Sequence, residues 1–160
     1  MISSGRLTIS PLTPSDWPFI LELLNTEDFI EQIGDKQVSD KASALKYIAT
    51  GPAKCQQENG FSLMAMRLDE GTPVGLCGLL KRDTLPFPDI GYALLPQYYR
   101  KGYTFEACEA VLAHFKALRP VMAITSHQNT ASIKLLEKLG FAVAPSELNS
   151  DDSVSSFILY

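Results

Sequence analysis

The amino-acid sequence predicts an α/β (mixed α+β) fold in which helices pack against a β-sheet. In several short segments apolar and polar residues alternate or apolar residues run together between turn residues, which is typical of strands. Other segments place their apolar residues on one face of a helix. The predicted order is a strand, two helices, three strands, a helix, a strand, a helix and two strands, which indicates a mixed sheet.

Length and composition indicate one domain that covers residues 1–160. Hydrophobic residues make up 46% of the chain and charged residues 20%, the balance of an ordinary globular protein, so overall disorder is a poor interpretation. The formal net charge of −4 argues against a nucleic-acid partner, since phosphate backbones require a basic surface. One local anion site remains compatible with that charge.

The cysteines and the apolar segments indicate where the protein is expected to be located and whether it binds a metal. The three cysteines are widely separated, no CxxC pair occurs and the chain has two histidines, so no metal site is expected. Scattered, unpaired cysteines indicate reduced thiols and a cytoplasmic protein. The first residues lack the apolar run of a signal peptide, and no stretch is long enough to span a bilayer, so no membrane association is expected.

In the first half of the chain, each element has its own signal. Alternation of apolar and polar residues predicts the first strand, and a capping box at Thr13–Asp16 predicts the start of the first helix. Asp40 predicts the start of the second helix, and a cluster of turn residues at 69–72 predicts a hairpin. The segment Glu27–Ser39 shows no clean period. The predicted strands are Arg6–Leu12, Phe61–Leu68 and Pro73–Leu80.

The second half alternates strands and helices after a proline-interrupted loop at Arg82–Pro88. Pro96 ends a strand, and Gly140 is placed as the C-terminal cap of the last helix. The predicted strands are Asp89–Leu95, Val121–Thr125 and a closing hairpin of Phe141–Leu148 and Val154–Tyr160 around Asn149–Ser153. The predicted helices are Gly102–Leu118 and Asn129–Leu139.

The junction between the Asp89–Leu95 strand and the next helix carries the clearest chemical signal. The first turn of a helix has backbone N–H groups without intrahelical partners, and with the helix dipole they form an anion site. Gly102 allows close backbone approach, and Arg100 and Lys101 add positive charge. The alternative is a glycine and basic residues that serve the turn and solubility alone. Neither GxxxxGK[ST] nor GxGxxG occurs.

A second polar pair opens the last helix. Asn129 lies where a buried strand meets the helix, which suits an N-cap, and Ser132 follows in the first turn. Both side chains can face a ligand held between this strand and the previous one. On spacing alone, simple capping above a core stripe of Ile133, Leu136 and Leu139 is the favoured interpretation.

Together these segments resemble the GNAT superfamily of N-acetyltransferases, in particular its RimJ/RimL-type branch. The family pattern Gln/Arg-x-x-Gly-x-Gly/Ala aligns with Tyr99–Thr104, followed by Glu106-Ala107, and its Asn-x-x-Ser…Leu-Gly-Phe aligns with residues 129–141. IGYALLP and the opening RLTISPL-TPSD add to the similarity, which covers nearly the whole chain in order. Tyr99 and Thr104 depart from the pattern, but neither removes a backbone N–H.

The resemblance implies acetyl-CoA as cosubstrate and a sheet that splays between its fourth and fifth strands. The pantetheine arm would enter this gap, the pyrophosphate would lie on the glycine turn, and the start of the last helix would hold the ligand from the other side. The residues implied are Ala93, Leu94 and Leu95 for the arm, Arg100, Lys101, Gly102, Tyr103 and Thr104 for the pyrophosphate, and Asn129 and Ser132 opposite.

Acetyl transfer to an amine needs a neutral amine, stabilisation of the thioester oxygen and departure of the thiolate. Asp89 is the candidate general base, with a loop-ending structural role as the alternative. Ser126 and His127 end the neighbouring strand and are candidates in the same cleft, with a solvated loop histidine as the alternative. A backbone N–H near Leu94 would polarise the carbonyl. Some relatives carry a tyrosine acid where this chain has Leu136.

The acceptor and the assembly stay open at this stage. Acidic residues of the segment Glu27–Ser39 would attract a cationic amine or a basic N-terminus, or they simply form a solvated helix end. A non-catalytic acyl-CoA sensor and an interaction domain that keeps only the fold are the competing classes. The apolar chain end Phe157–Tyr160 either covers the core or forms the interface of a homodimer.

Overall fold

The computed structural model describes residues 1–149 and 151–160, which form an eight-stranded mixed sheet with helices on both faces. The spatial order of the strands is β1-β2-β3-β4-β5-β6-β8-β7. The strands are β1 (Ile2–Ser3), β2 (Thr8–Pro11), β3 (Leu63–Arg67), β4 (Pro73–Leu80), β5 (Asp89–Leu94), β6 (Val121–Ser126), β7 (Ala142–Val143) and β8 (Val154–Leu159).

Six α-helices connect these strands in the described part of the chain, and short 3-10 turns flank several of them. The helices are α1 (Trp17–Leu24), α2 (Glu27–Gln32), α3 (Lys41–Thr50), α4 (Pro52–Asn59), α5 (Tyr103–His114) and α6 (Thr130–Lys138). The helix predicted to run to Leu118 ends at His114 and is followed by a 3-10 turn at Lys116–Leu118.

Two apolar layers hold the helices on the sheet. On one face, Cys108, Val111 and Leu112 of α5 pack with Leu136 of α6 against the sheet. On the other face, α1 and α3 cover the strands β3 and β4 with a second buried cluster. Because the strands contribute alternate residues to the two clusters, the central sheet is buried on both sides.

The strands β5 and β6 are parallel neighbours that separate along their length. In the described residues their paired register consists of Asp89 with Met122 at the start of both strands. All other strand pairs are antiparallel, and β5 pairs with β4 along the whole length of β5. The predicted mixed sheet with a splay between the fourth and fifth predicted strands, here β5 and β6, is therefore confirmed.

The structure adds elements that the pattern did not predict. The helix α2 lies in the segment without a clean period, and Thr26 caps it by accepting a hydrogen bond from the Phe29 N–H at 3.3 Å. The helix α4 is polar and lacks an apolar stripe, but Pro52 at its first position and Gly60 in the left-handed region (φ 77°) mark its two ends.

The closing hairpin is confirmed with a shorter first strand. β7 has two residues and pairs antiparallel with β8, which in turn pairs with β6 along six residues. Pro145 and a 3-10 turn at Ser146–Leu148 interrupt the longer strand that the sequence predicted. Within the predicted turn, Ser150 lies outside the described residues.

None of the helices in the described ranges has the length and hydropathy of a membrane span. Within the same residues, no cluster of three or more histidine, cysteine, aspartate or glutamate side chains has the arrangement of a metal site.

Candidate active site

The gap between β5 and β6 is lined by backbone groups of alternate β5 residues. The Leu95 N–H donates to the Val74 carbonyl of β4 at 2.9 Å, and Leu94 pairs with Gly75 in register. In an antiparallel ladder, successive residues direct their backbone groups to opposite sides of the strand. The backbone groups of Tyr92 and Leu94 therefore point away from β4 and into the gap.

Of the three residues expected to hold the pantetheine arm, Leu94 is the one suitably placed. Ala93 lies opposite Leu76 in the register, and a Cβ built on Gly75 would clash with the Ala93 carbonyl oxygen, so the backbone of Ala93 faces β4. Leu95 is bonded to β4 and is buried. We expected the backbone groups of Ala93 and Leu95 to pair with the pantetheine arm, but they face β4. Sequence spacing does not reveal which residues of a strand direct their backbone groups to which neighbouring strand.

The turn before α5 has the backbone conformation of a close-approach site. Gly102 is the N-cap residue of α5 with φ 78°, and Arg100 has φ 65°, both in the left-handed region. That region is uncommon for a residue with a side chain, and such conformations concentrate at functional sites. The sequence Tyr99–Thr104 thus folds into a sharp turn with Lys101 and Gly102 exposed.

This turn fits a phosphate group. Gly102 has no side chain to cap the first N–H groups of α5, and the first helical bond runs from the Glu106 N–H to the Gly102 carbonyl. The N–H groups of Tyr103 and Thr104 therefore precede the helical ladder and are free to bind an anion. A Cβ built on Gly102 would lie 3.4 Å from the Arg6 Nη2 atom. The side-chain position at Gly102 therefore lies beside the Arg6 guanidinium at the start of α5.

The start of α6 is linked to β5 by a hydrogen bond across the gap. Asn129 caps α6, its Oδ1 accepting from the Ser132 N–H at 3.2 Å, which leaves its amide nitrogen able to donate elsewhere. The Ser132 hydroxyl lies 2.5 Å from the Tyr92 hydroxyl and is buried. Burial raises the pKa of Tyr92 well above its ordinary value, so this phenol keeps its proton.

Tyr92 is a site residue that sequence reasoning did not identify. It lies in the expected strand, but nothing in the sequence indicates that its side chain reaches the first turn of α6. The Ser132 hydroxyl is hydrogen-bonded to this phenol, so its side chain joins α6 to β5. Asn129 keeps a side-chain donor for a ligand.

Asp89 is a buried carboxylate with one unpaired oxygen. Its side chain is 1% exposed, and Oδ2 accepts a hydrogen bond from the Arg82 Nε–H at 2.9 Å. Among the described residues, no donor reaches Oδ1. Burial raises the pKa of Asp89, and this effect outweighs the positive charge and hydrogen bond of Arg82, which oppose it. A carboxylate with a raised pKa and a free oxygen is suited to accept a proton.

Ser126 and His127 lie at the other end of β6 from Asp89. Asp89 pairs with Met122, and four residues of strand, about 13 Å, separate Met122 from Ser126. The structure therefore does not bring the three candidate catalytic residues together, since Asp89 starts its strand and the other two end theirs.

The His127 ring is held against the closing hairpin. Its Nε2 donates to the Asp152 carbonyl at 2.8 Å, because a carbonyl can only accept, and Nδ1 lies 2.7 Å from the Ser155 hydroxyl. Both nitrogens are thus engaged by residues near β8. The ring of His127 therefore contacts the closing hairpin, which a sequence without tertiary contacts does not reveal.

The helix α2 crosses the mouth of the gap. Asp28 accepts a hydrogen bond from the Tyr99 hydroxyl at 2.8 Å, and Gln32 accepts one from the Ser126 hydroxyl at 3.0 Å. Residues four apart lie on one helix face, so this face contacts both the turn after β5 and the end of β6. Burial and then the hydrogen bond and charge of Asp28 raise the pKa of Tyr99 to about 12.

Cys77, Cys108 and Leu136 are packing residues of the core. Cys77 and Cys108 are fully buried with their sulfur atoms 3.7 Å apart, and burial raises the pKa of the Cys108 thiol, so neither is an activated nucleophile. Leu136 is fully buried in the core. The position where some relatives carry a tyrosine acid is therefore a packing position here.

A splayed parallel strand pair, free backbone groups along one of its strands and a glycine turn at a helix start define the acyltransferases that use a coenzyme A thioester. The comparisons with known proteins agree. Residues 6–142 match the family described as the acetyltransferase (GNAT) domain. The chain therefore belongs to the GNAT family and is an acetyl-CoA-dependent acyltransferase.

A relative supports this assignment, and solved structures share the fold. A Bacillus subtilis protein named as the uncharacterized N-acetyltransferase YjdG is 33% identical over 116 residues, 69% of each chain. An acetyltransferase structure from Agrobacterium tumefaciens has a TM-score of 0.85 at 20% identity, covering 99% of this chain and 93% of its own. RimL, a ribosomal L7/L12 α-N-protein acetyltransferase in complex with coenzyme A, has a TM-score of 0.81 at 15% identity, with 98% and 94% covered.

Proposed function

We propose that this acetyltransferase transfers the acetyl group of acetyl-CoA to a cationic primary amine, either a protein N-terminus or a small-molecule amine, by direct attack. The observation that carries the proposal is the gap between β5 and β6, into which Leu94 directs its backbone groups and above which Gly102 starts α5 without a side-chain cap. Acetyl-CoA supplies a thioester carbonyl that an amine can attack without an acyl-enzyme.

Each residue of the gap has a separate task in this proposal. The turn Arg100–Thr104 holds the pyrophosphate through backbone N–H groups and two basic side chains. The Leu94 N–H stabilises the charge that develops on the carbonyl oxygen, which is the contribution that a preorganised donor makes best. Asn129 donates to the arm from the α6 side. No side chain is required to protonate the leaving thiolate, which takes its proton from solvent.

Asp89 is proposed as the general base acting through a chain of water molecules, because five residues of strand, about 16 Å, separate it from Leu94. Its carboxyl lies on the same sheet face as Met122, with which it pairs, and its free Oδ1 is not committed to Arg82. An amine that arrives as an ammonium ion must lose a proton before it can attack. A carboxylate with a raised pKa holds that proton better than an exposed one.

The acidic surface of α2 supports a cationic acceptor. This helix carries Glu27, Asp28 and Glu31 and no basic residue, and all three side chains are exposed. Asp28 is already bonded to Tyr99, whereas Glu27 and Glu31 face solvent. Acidic residues around an opening raise the local concentration of a cationic substrate.

The acceptor assignment predicts a charge-dependent Michaelis constant. We expect the double variant Glu27→Gln, Glu31→Gln to raise the KM of a cationic amine about two- to tenfold with kcat unchanged, because exposed charges contribute at most about 1 kcal/mol each. The measurement is steady-state acetylation of a panel: a polyamine, an aminoglycoside, a free amino acid and a short peptide with an unblocked N-terminus. The difference should shrink as salt is raised.

The control is Glu58→Gln on α4, where an exposed glutamate pairs with Lys54 away from the gap. This variant should leave KM unchanged at every salt concentration. An equal KM for wild type and the α2 double variant would remove α2 from acceptor recognition. Binding of acetyl-CoA without turnover of any amine in the panel would contradict the proposed reaction itself.

A further inference from the structure

Arg6, between β1 and β2, lies against the first turn of α5 although it is far from that helix in sequence. Its Nε donates to Glu106 Oε1 at 2.9 Å, and its guanidinium carbon stands 4.5 Å from the centre of the Tyr103 ring. Its Nη2 atom is 3.4 Å from the position that a Cβ on Gly102 would occupy. The guanidinium therefore borders the glycine turn.

Glu106 fixes the orientation of this guanidinium. Its Oε2 accepts hydrogen bonds from the Arg6 backbone N–H at 2.8 Å and from the Ser4 hydroxyl at 2.5 Å. Burial raises the pKa of Glu106, but the hydrogen bonds from Ser4 and Arg6 and the charge of Arg6 outweigh it, so the pKa is lowered and the carboxyl is ionised at neutral pH. The backbone and Nε of Arg6 are thus anchored.

The outer edge of the guanidinium is left for another partner. The recorded bonds of Arg6 to Glu106 use its backbone N–H and its Nε, not its two terminal nitrogens. The side chain is 49% exposed, so a ligand on the turn can reach it. A planar guanidinium with free terminal N–H groups binds two phosphate oxygens at once, which an ammonium group cannot do.

We propose that Arg6 is a further ligand of the acetyl-CoA pyrophosphate, acting beside the N–H groups of the α5 start. This inference rests on the proposed placement of the pyrophosphate at Arg100–Thr104. Glu106 and the Tyr103 ring hold the guanidinium in place before the ligand arrives, so less side-chain entropy is lost on binding. Because Gly102 carries no side chain, a phosphate oxygen rather than a Cβ can contact Arg6 at this position.

The test compares two variants that break the same ion pair with opposite changes in charge. Arg6→Gln removes the proposed ligand, whereas Glu106→Gln removes the neighbouring negative charge and keeps the guanidinium. We expect Arg6→Gln to weaken binding about tenfold. Glu106→Gln should weaken it much less, because it loosens the anchor of the guanidinium but keeps the guanidinium and removes a nearby negative charge. Affinity is measured by titration calorimetry with coenzyme A and with dephospho-coenzyme A, which keeps the pyrophosphate and lacks the 3′-phosphate.

Each outcome decides the inference. An equal loss of affinity in both variants, scaled to their unfolding temperatures, would make the ion pair structural and overturn the proposal. A loss confined to coenzyme A would place Arg6 at the 3′-phosphate instead and also overturn it. If Arg6→Gln fails to fold, Arg6→Lys is measured instead, because lysine keeps the positive charge but lacks the planar guanidinium. An unchanged affinity of Arg6→Lys for both ligands would overturn bidentate binding of the pyrophosphate. Absence of binding in the wild type would contradict the proposed placement of acetyl-CoA, not this inference alone.

Discussion

Replacement of Gly102 by aspartate should weaken acetyl-CoA binding by at least about a hundredfold while the chain stays folded. The new carboxylate would stand at the start of α5 beside the proposed pyrophosphate, and two like charges at about 4 Å repel by several kcal/mol near a protein surface. It would also compete for Arg6, whose Nη2 lies 3.4 Å from the position of the new Cβ. Titration calorimetry with coenzyme A measures the loss.

The matched control is Gly102→Asn, which has the same shape without the charge. The residue has φ 78°, a conformation that asparagine and aspartate both tolerate better than other residues with a Cβ. We expect the asparagine variant to lose much less affinity than the aspartate variant, at a similar unfolding temperature. Equal losses would assign the effect to shape, and unchanged affinity in the aspartate variant would remove the pyrophosphate from this turn.

The second large effect is expected for Asp89→Asn, which should lower kcat about 10²- to 10⁴-fold, the usual contribution of a general base. The affinity for acetyl-CoA should stay the same, because Asp89 lies at the closed end of the strand pair, away from the glycine turn. In the wild type the rate should rise with pH as Asp89 loses its proton. Burial moves this rise above the pH range of an ordinary aspartate.

Arg82→Gln separates a base from a structural ion pair. The variant breaks the same 2.9 Å contact as Asp89→Asn but keeps the carboxylate. Because Arg82 lowers the pKa of Asp89 by its charge and its hydrogen bond, its removal should move the rising limb of the pH–rate profile to higher pH, with activity retained above it. If Asp89→Asn keeps the full rate, or if both variants lose activity alike at every pH, Asp89 is not the base.

The fold was predictable from the sequence where a segment carried a clear apolar pattern. The strands β4 and β5 begin at the predicted residues, and the caps at Asp40 and Asn129 start α3 and α6. The helices α2 and α4 were missed for a physical reason. They are short and mostly exposed, and their ends are set by Thr26, Pro52 and Gly60 rather than by an apolar stripe.

The candidate site was predictable where one short segment holds the chemistry, as at Gly102. It was not predictable where contacts join distant segments. Arg6 reaches the turn from the N-terminal strands, Tyr92 reaches Ser132 across the gap, and His127 is taken up by the closing hairpin. Spacing within one segment carries no information about such pairs, because each depends on how two elements pack.

The assembly of the chain stays a prediction. Phe157 and Ile158 of β8 are buried, so this part of the chain end covers the core, while Tyr160 and Val143 are exposed. The burial of Phe157 and Ile158 agrees with the expectation that the apolar end covers the core. A homodimer through the exposed residues remains a proposal, as does a single domain over residues 1–160.

The most direct test of the acetyl-CoA site is a thermal-shift titration with acetyl-CoA, with free phosphate and NAD as controls. A ligand that binds only the folded state adds about 2.7 kcal/mol at a hundred times its Kd, which is about 5–10 °C for a chain of this size. We predict a saturable rise of this order with acetyl-CoA and little or none with either control. No rise at saturating acetyl-CoA, or an equal rise with NAD, would contradict a site built for the coenzyme A thioester.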